Sequence, residues 1–451
     1  MNFIDWLKKN KNSMVMFAGM VFPVFVLLTY PKYYQPDDID AFLHWSKAWA
    51  LGWRDIYINC PGCNYPFLGM FFSGGMVHFL GIINYDQMIS GFRYYLTAID
   101  LLNVVAVYFL LKKLGNSNPA FWAGLIGLLP SSFIGTSYWG QVDGLGQLIM
   151  MVIFIWVAFY NLHTKQRPFS FRVYVIVLGL LLSCVLLTKQ LVMFSMISLG
   201  LLVSVNILLN SNKWMDVFTD AFLFLLAFFL PILFVDLTVS LDPPYISHLQ
   251  YILATGSSHG DVISSYGFNV WSLFVQDPLV SSHEPLKLFT SSVVEFGIVP
   301  FSTGIGLFLF VNVFLFVLML VYFRRKYLAG QRRFGVEDLI FWLLHLGLVN
   351  LAFNLFLSGT HERYLYHFYP FVISAFLTMS FINKRSLIIL LAGAVFYGCF
   401  LFGYLSALNQ IFGRLMFNGM AVFHLLLFAF IVRIFLQHVF FINQNSPAVP
   451  G

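Results

Sequence analysis

The chain has 451 residues, 59% hydrophobic and 19% aromatic but only 10% charged, with a mean hydropathy of +0.81. A water-facing surface of that composition aggregates, which excludes an ordinary soluble protein and leaves a polytopic membrane protein. The net charge of +6 and pI near 9.0 do not point to nucleic acid, because Lys and Arg fall in short clusters at the ends of apolar runs, where membrane topology places them.

About 20 helical residues cross the hydrocarbon. Runs of that order fall near 14–30, 66–83, 94–111, 119–136, 142–162, 173–188, 191–209, 218–240, 302–323, 338–357, 364–382, 387–405 and 416–441. Lys8, Lys9 and Lys11 precede the first, which is long enough to stay as a span and not be removed as a signal. The run 66–83 is broken by Gly69, Gly74, Gly75, His78 and Gly81 and reads as surface-lying or re-entrant. Demoting it, with a cytoplasmic N-terminus, keeps Arg324, Arg325, Lys326, Arg332 and Arg333 inside; counting it as a crossing puts them outside, against the positive-inside bias. The expected fold is all-α with about 12 transmembrane helices. It is one domain, 1–451, with a first outer loop at 31–93 and a long outer loop at 241–301.

The unusual polar segments then all fall on the outer side. The first follows the opening span and holds Asp37, Asp38 and Asp40 within four residues. Such acids serve as a general base, as metal ligands, or as a solvated loop start. Cys60-Pro61-Gly62-Cys63 has the spacing of a redox dithiol or half a zinc site. With no second pair and no βαβ pattern around it, a local disulfide staple on an oxidising face is the better reading. Cys184 and Cys399 lie in apolar runs and read as small buried side chains. Trp139, Gln141 and Asp143 combine an indole, an amide and a carboxylate that can stack on and hydrogen-bond a sugar. Asn269 and Trp271, in the long loop, offer the same chemistry.

Lys189 interrupts a nearly all-apolar stretch and sits at a turn between spans, either snorkelling or supplying positive charge to a ligand. Arg363 has the planar fork that suits phosphate, with His361 beside it and Glu362 placed to orient either one or to pair with Arg363. A carboxylate facing cations at the membrane edge is what group transfer from an anionic lipid carrier to a hydroxyl needs: a base for the hydroxyl and positive charge for the departing phosphate. His44, His248, His259 and His283 show no metal-ligand spacing, so no metal site is expected. A loosely held divalent cation at the aspartates is the alternative.

Asp38-Ile39-Asp40-Ala41-Phe42-Leu43-His44-Trp45 with Tyr65-Pro66, then Trp139-Gly140-Gln141, Lys189-Gln190, Asn269-Val270-Trp271 and His361-Glu362-Arg363, follow one another in an order that resembles the GT-C glycosyltransferases. The likeness is nearest to the glucosyltransferase branch of the N-glycan precursor pathway and its prokaryotic relatives. That branch has an aromatic residue, Glu and Arg where this chain has Ile39, Asp40 and Leu43. The resemblance implies a GT-C fold with surface-lying helices in the first outer loop. It also implies a polyprenyl- or dolichyl-phosphate-linked sugar donor and a glycan or lipid acceptor, with no required cofactor.

By the same resemblance Asp38 matches the catalytic aspartate, with Asp40 in reserve, and His361, Arg363 and Lys189 hold the donor phosphate. Tyr65, Trp139, Gln141, Asp143, Asn269 and Trp271 would face sugar or acceptor. The expected protein is an inverting hexosyltransferase in a bacterial or archaeal cell membrane with an outward-facing site, or in the endoplasmic reticulum membrane with a lumenal one. The rivals are a lipid or small-solute transporter or flippase, which predicts inverted repeats and mid-bilayer charges, and a non-catalytic assembly subunit.

Overall fold

Backbone in lipid has no water to bond, so apolar runs close their hydrogen bonds internally as helix. The computed structural model of the chain is accordingly mostly helical. It describes all residues except 1–2, 30–35, 61–62, 163–168, 212, 242–243, 245–246, 258–260, 266, 276–278, 291–294, 332, 362, 406–408 and 442–451. In chain order the helices are α1 (Phe3–Thr29), α2 (Pro36–Leu51), α3 (Ile56–Asn59), α4 (Phe67–Met70), α5 (Met76–Phe79), α6 (Tyr85–Gln87), α7 (Arg93–Lys113), α8 (Pro119–Leu128), α9 (Asp143–Asn161), α10 (Phe171–Leu186), α11 (Ser195–Asn210), α12 (Trp214–Thr238), α13 (His248–Ser257), α14 (Pro300–Leu328), α15 (Val336–Phe356), α16 (Tyr369–Phe376), α17 (Lys384–Leu405) and α18 (Asn409–Phe441).

Among the described residues, eight helical segments are long and apolar enough to cross a membrane: Asn10–Thr29, Tyr85–Lys113, Asp143–Asn161, Trp214–Thr238, Pro300–Leu328, Val336–Phe356, Lys384–Phe402 and Leu415–Phe440. Four expected spans are shorter or broken. The run 119–136 yields only α8 before Pro130, which lacks an N–H to continue the helix and is followed by a 3-10 turn and a π turn, Ile134–Tyr138. The runs 173–188 and 191–209 give 16-residue helices, α10 and α11, because the chain unwinds around Lys189. The run 364–382 opens as a 3-10 turn and becomes α16 only after Phe368, with Pro370 in its first turn. The glycine-broken run 66–83 forms α4, a π turn and α5, spanning Phe67–Phe79. At 1.5 Å per residue that is about 20 Å, short of the hydrocarbon thickness.

The fold is not purely helical. β1 (Ser264–Ser265) pairs in parallel with β4 (Thr360–His361), and β2 (Leu286–Thr290) pairs antiparallel with β3 (Glu295–Ile298). The first ladder ties the 241–301 segment to the strand that precedes Arg363.

α15 is the axle of the bundle. It is mostly apolar and buried from Asp338 to Leu355, packed by α11, α14, α16 and α18. Three of its buried polar residues bond to neighbouring elements: Asp338 to Lys326 and Tyr322 Oη (2.9 Å), His345 Nδ1 to Ser198 Oγ (2.9 Å), and Asn350 Oδ1 to Ser195 Oγ (3.1 Å). α12 instead exposes Phe218, Phe222, Leu226, Leu230 and Leu237, the face a helix turns to lipid. α1 crosses α8 at Gly19 and Gly124; a Cβ on Gly124 would lie 2.2 Å from the Val15 carbonyl oxygen, so only glycine lets these backbones touch.

Contacts also sort the charges. Asn12 bonds Asn118 (3.0 Å), Asn116 reaches the Leu377 carbonyl (2.8 Å), Phe381 packs on His438, His438 bonds the Glu337 carbonyl (3.1 Å), and Arg325 bonds the Phe440 carbonyl (2.9 Å). Lys11, Lys112, Lys113, Lys326 and Lys384 therefore gather at one end of the bundle. The polar segments around Asp38 lie at the other.

Candidate functional site

α2 begins at Pro36, whose fixed φ suits a first helical position and whose missing N–H costs nothing there. Carboxylates in that first turn meet the positive end of the helix dipole. Asp38 and Asp40 are two residues apart, so they project about 200° away from each other. Asp38 is half-buried and lines a cavity of about 210 Å³, while Asp40 is exposed and does not line it. Ile39 between them is fully buried against the turn at Gly140, which has φ +97°. A side chain at position 140 would be strained there and would strike Ile39.

The cavity is walled by Asp38, Phe42 and Trp45 from α2, Tyr65 from the first loop, Lys189 from the break between α10 and α11, and Arg363 with Tyr364 from the segment after β4. Trp139 donates Nε1–H to Asp38 Oδ2 at 2.9 Å. Tyr65 Oη and Lys189 Nζ both donate to Gln141 Oε1, at 2.9 and 3.0 Å. Lys189 also forms an ion pair with Asp143, and Arg363 Nε lies 3.9 Å from the other Asp143 oxygen. Lys189 Nζ sits over the Tyr65 ring at 5.0 Å, and the Arg363 guanidinium over the Trp139 and Tyr364 rings at 5.8 and 5.9 Å. Burial, and then the Asp38 charge, holds the Tyr65 hydroxyl well above the ordinary tyrosine range, so it remains a donor.

The loop that presents Tyr65 is pinned. Cys60 and Cys63 are disulfide-bonded, Tyr251 Oη donates to the Cys63 carbonyl (2.5 Å), Tyr57 Oη to the Tyr65 carbonyl (2.8 Å), and Gln190 Nε2 to the Asn64 carbonyl. His248 is buried beside it, its Nε2 accepting the Phe67 N–H at 3.0 Å. Burial lowers its pKa to about 4, because the charged ring would lose its hydration there.

Several sequence expectations change here. Trp139 is buried and braces Asp38 rather than offering a face to a sugar. Asp143 has no exposed side chain and serves as counter-ion to Lys189 and Arg363. Gln141 is likewise buried behind Tyr65. Asn269 Nδ2 bonds the Ile263 and Leu357 carbonyls and Thr360 Oγ1, its Oδ1 caps Ser272, and Trp271 Nε1 bonds the Phe356 carbonyl (2.6 Å). Both residues fasten the 241–301 segment to the bundle and neither lines the cavity. His361 packs its ring at a tilt beside Tyr364 (5.0 Å) and does not line the cavity. Glu362 and the Asp37 side chain lie outside the described residues, as do His259 and the C-terminal tail.

Sequence reasoning missed Asp100 and His367. Asp100, buried within α7, accepts from Thr136 Oγ1, Ser137 N (3.2 Å) and Tyr366 Oη (3.0 Å), and so anchors both the 134–143 turn and the 363–367 turn. An acid inside the run 94–111 was the signal available. His367 is buried near Asp143. Among the described residues no group of three or more His, Cys, Asp or Glu side chains is placed to hold a metal.

Comparison with protein-family models, with curated proteins and with solved structures found no match to this chain.

Proposed function

We propose that the chain is an inverting glycosyltransferase of the GT-C type. It moves a hexose, glucose or mannose, from a polyprenyl-phosphate-linked donor to a hydroxyl of a lipid-linked glycan, a lipid or another acceptor. One observation carries the reading: Asp38, Lys189 and Arg363, hundreds of residues apart in sequence, wall the same cavity. The carboxylate and the cations are what the two ends of a sugar transfer require.

Asp38 takes the proton of the acceptor hydroxyl as its oxygen attacks the anomeric carbon, and the bond from that carbon to the phosphate oxygen breaks on the opposite face. The polyprenyl phosphate leaves with the electron pair beside Arg363 and Lys189. Trp139 holds Asp38 Oδ2, which leaves Oδ1 for the acceptor. Asp143 balances part of the positive charge of Lys189 and Arg363 from behind the cavity wall. In this reading the four shorter or broken segments are bent crossings, the chain makes twelve passes with 66–83 along the surface, and the cavity faces away from the cytoplasm.

Purified protein given radiolabelled polyprenyl-phosphate glucose or mannose and a lipid extract as acceptor tests this. Asp38→Asn is expected to abolish turnover while donor binding persists; undiminished turnover rejects the assignment. Donor translocation across proteoliposomes without transfer would favour the transporter reading.

A further inference from the structure

Arg433 lies in α18, inside the apolar segment Leu415–Phe440, and the topology gives it no evident role. A guanidinium in a membrane span needs a partner or a polar cavity. Its exposed side chain has no ion-pair or hydrogen-bond partner among the described residues. It lines a cavity of about 450 Å³ between α15, α17 and α18, at the end of the bundle opposite Asp38. Ser380, Asn383, Ser386 and Gln437 supply hydroxyls and amides to the same wall, and Glu337 supplies a carboxylate. Asn383 Oδ1 accepts from Ser386 N (2.8 Å) and Oγ (3.0 Å), and neither bond uses the Asn383 Nδ2 donor. Glu337 Oε2 lies 3.8 Å from the buried His438 ring and forms no ion pair with Arg433.

The depth of Arg433 narrows the ligand. α18 has 33 residues, about 50 Å at 1.5 Å per residue, against a hydrocarbon core of about 30 Å. A centred helix overhangs by roughly 10 Å at each end, and Arg433 is eight residues, about 12 Å, from the last one, Phe441. The Arg433 backbone therefore lies about 2 Å inside the hydrocarbon boundary, from where its long side chain reaches the lipid phosphates, and basic pockets between spans take up headgroups at that level. A wall carrying one cation and one anion that do not pair with each other is complementary to a zwitterion.

We propose that this cavity binds the headgroup of an aminophospholipid, its phosphodiester on Arg433 and its primary ammonium on Glu337. The site is independent of the transferase reading and stands if that reading fails.

The test is lipid retention by delipidated full-length protein, followed by native mass spectrometry. The probes are phosphatidylethanolamine, phosphatidylglycerol and phosphatidylcholine, with O-phosphoethanolamine as the soluble source of the same headgroup. Phosphatidylethanolamine is expected to be retained most strongly. Arg433→Gln and Glu337→Gln should each weaken it about tenfold, as loss of one charge-assisted contact does. Arg433→Lys keeps the charge and should lose less, which separates lost recognition from misfolding. Equal retention of phosphatidylethanolamine and phosphatidylcholine by the parent protein, or wild-type retention by Arg433→Gln, overturns the site. Tight binding of O-phosphoethanolamine with no lipid retained overturns the lipid assignment.

Discussion

Replacing Asp143 with Asn is the sharpest probe of how the cavity is built. Asp143 is fully buried, and Lys189 and Arg363, its two cationic neighbours, have side chains only 8% and 11% exposed. Removing the carboxylate takes from Lys189 its buried ion-pair partner and from Arg363 one acidic neighbour. Breaking a buried pair in this way costs about 3–5 kcal/mol, most of it the penalty of the stranded charge. The Arg363 contact at 3.9 Å is itself worth a few kcal/mol at an effective dielectric near 20. Reversible unfolding in mixed micelles, without ligand, should show Asp143→Asn losing about 3–5 kcal/mol with little salt dependence. Adding Lys189→Met should recover much of the loss, because the cation that lost its partner is gone. A sugar-contacting Asp143 would instead leave stability intact and raise KM alone. A loss below about 1 kcal/mol, or strictly additive single and double variants, would refute the counter-ion argument.

Trp139→Phe removes the donor to Asp38 and should lower kcat ten- to hundredfold with little change in KM, the value of a hydrogen bond to a charged group; an unchanged kcat would show that the indole does not orient the base. Stability around α13 should depend on pH: His248 is held near pKa 4 in the fold against about 6.5 free, so the unfolded segment takes the proton first as pH falls. The contribution, on the order of 3 kcal/mol, is complete above about pH 6.5 and is lost progressively down to about pH 4. Hydrogen exchange across His248–Ser257 should speed up in that window, whereas a flat profile would place the ring in water. Gly124→Ala should cost about 1–3 kcal/mol by parting α1 from α8, while Gly200→Ala, where nothing lies within 4 Å of the added Cβ, should gain about 0.5–1 kcal/mol. Melting both variants checks the pair, and equal shifts would contradict the close α1–α8 crossing.

The apolar runs and charge clusters were legible in the sequence because lipid forces both. Any stretch of about 20 apolar residues must satisfy its own backbone, and cations sort to one side of a membrane wherever they fall in the chain. Composition thus determined a helical membrane protein, and the glycines within 66–83 marked a run that stops at Phe79. Proline and the break at Lys189 decided where α8, α10, α11 and α16 fall short of full spans, through local backbone chemistry that hydropathy averages away. The residue types at the site were legible too, but their assignments were not. Asp38 and Asp40 are equal as letters, and only helix phase sends one into the cavity and the other to water. Trp139, Asp143 and Asn269 had the look of ligand-binding groups, yet each is occupied by another part of the chain. A polar side chain shows its bonding capacity in the sequence. What uses that capacity depends on neighbours up to hundreds of residues away, which only the packed bundle brings within reach.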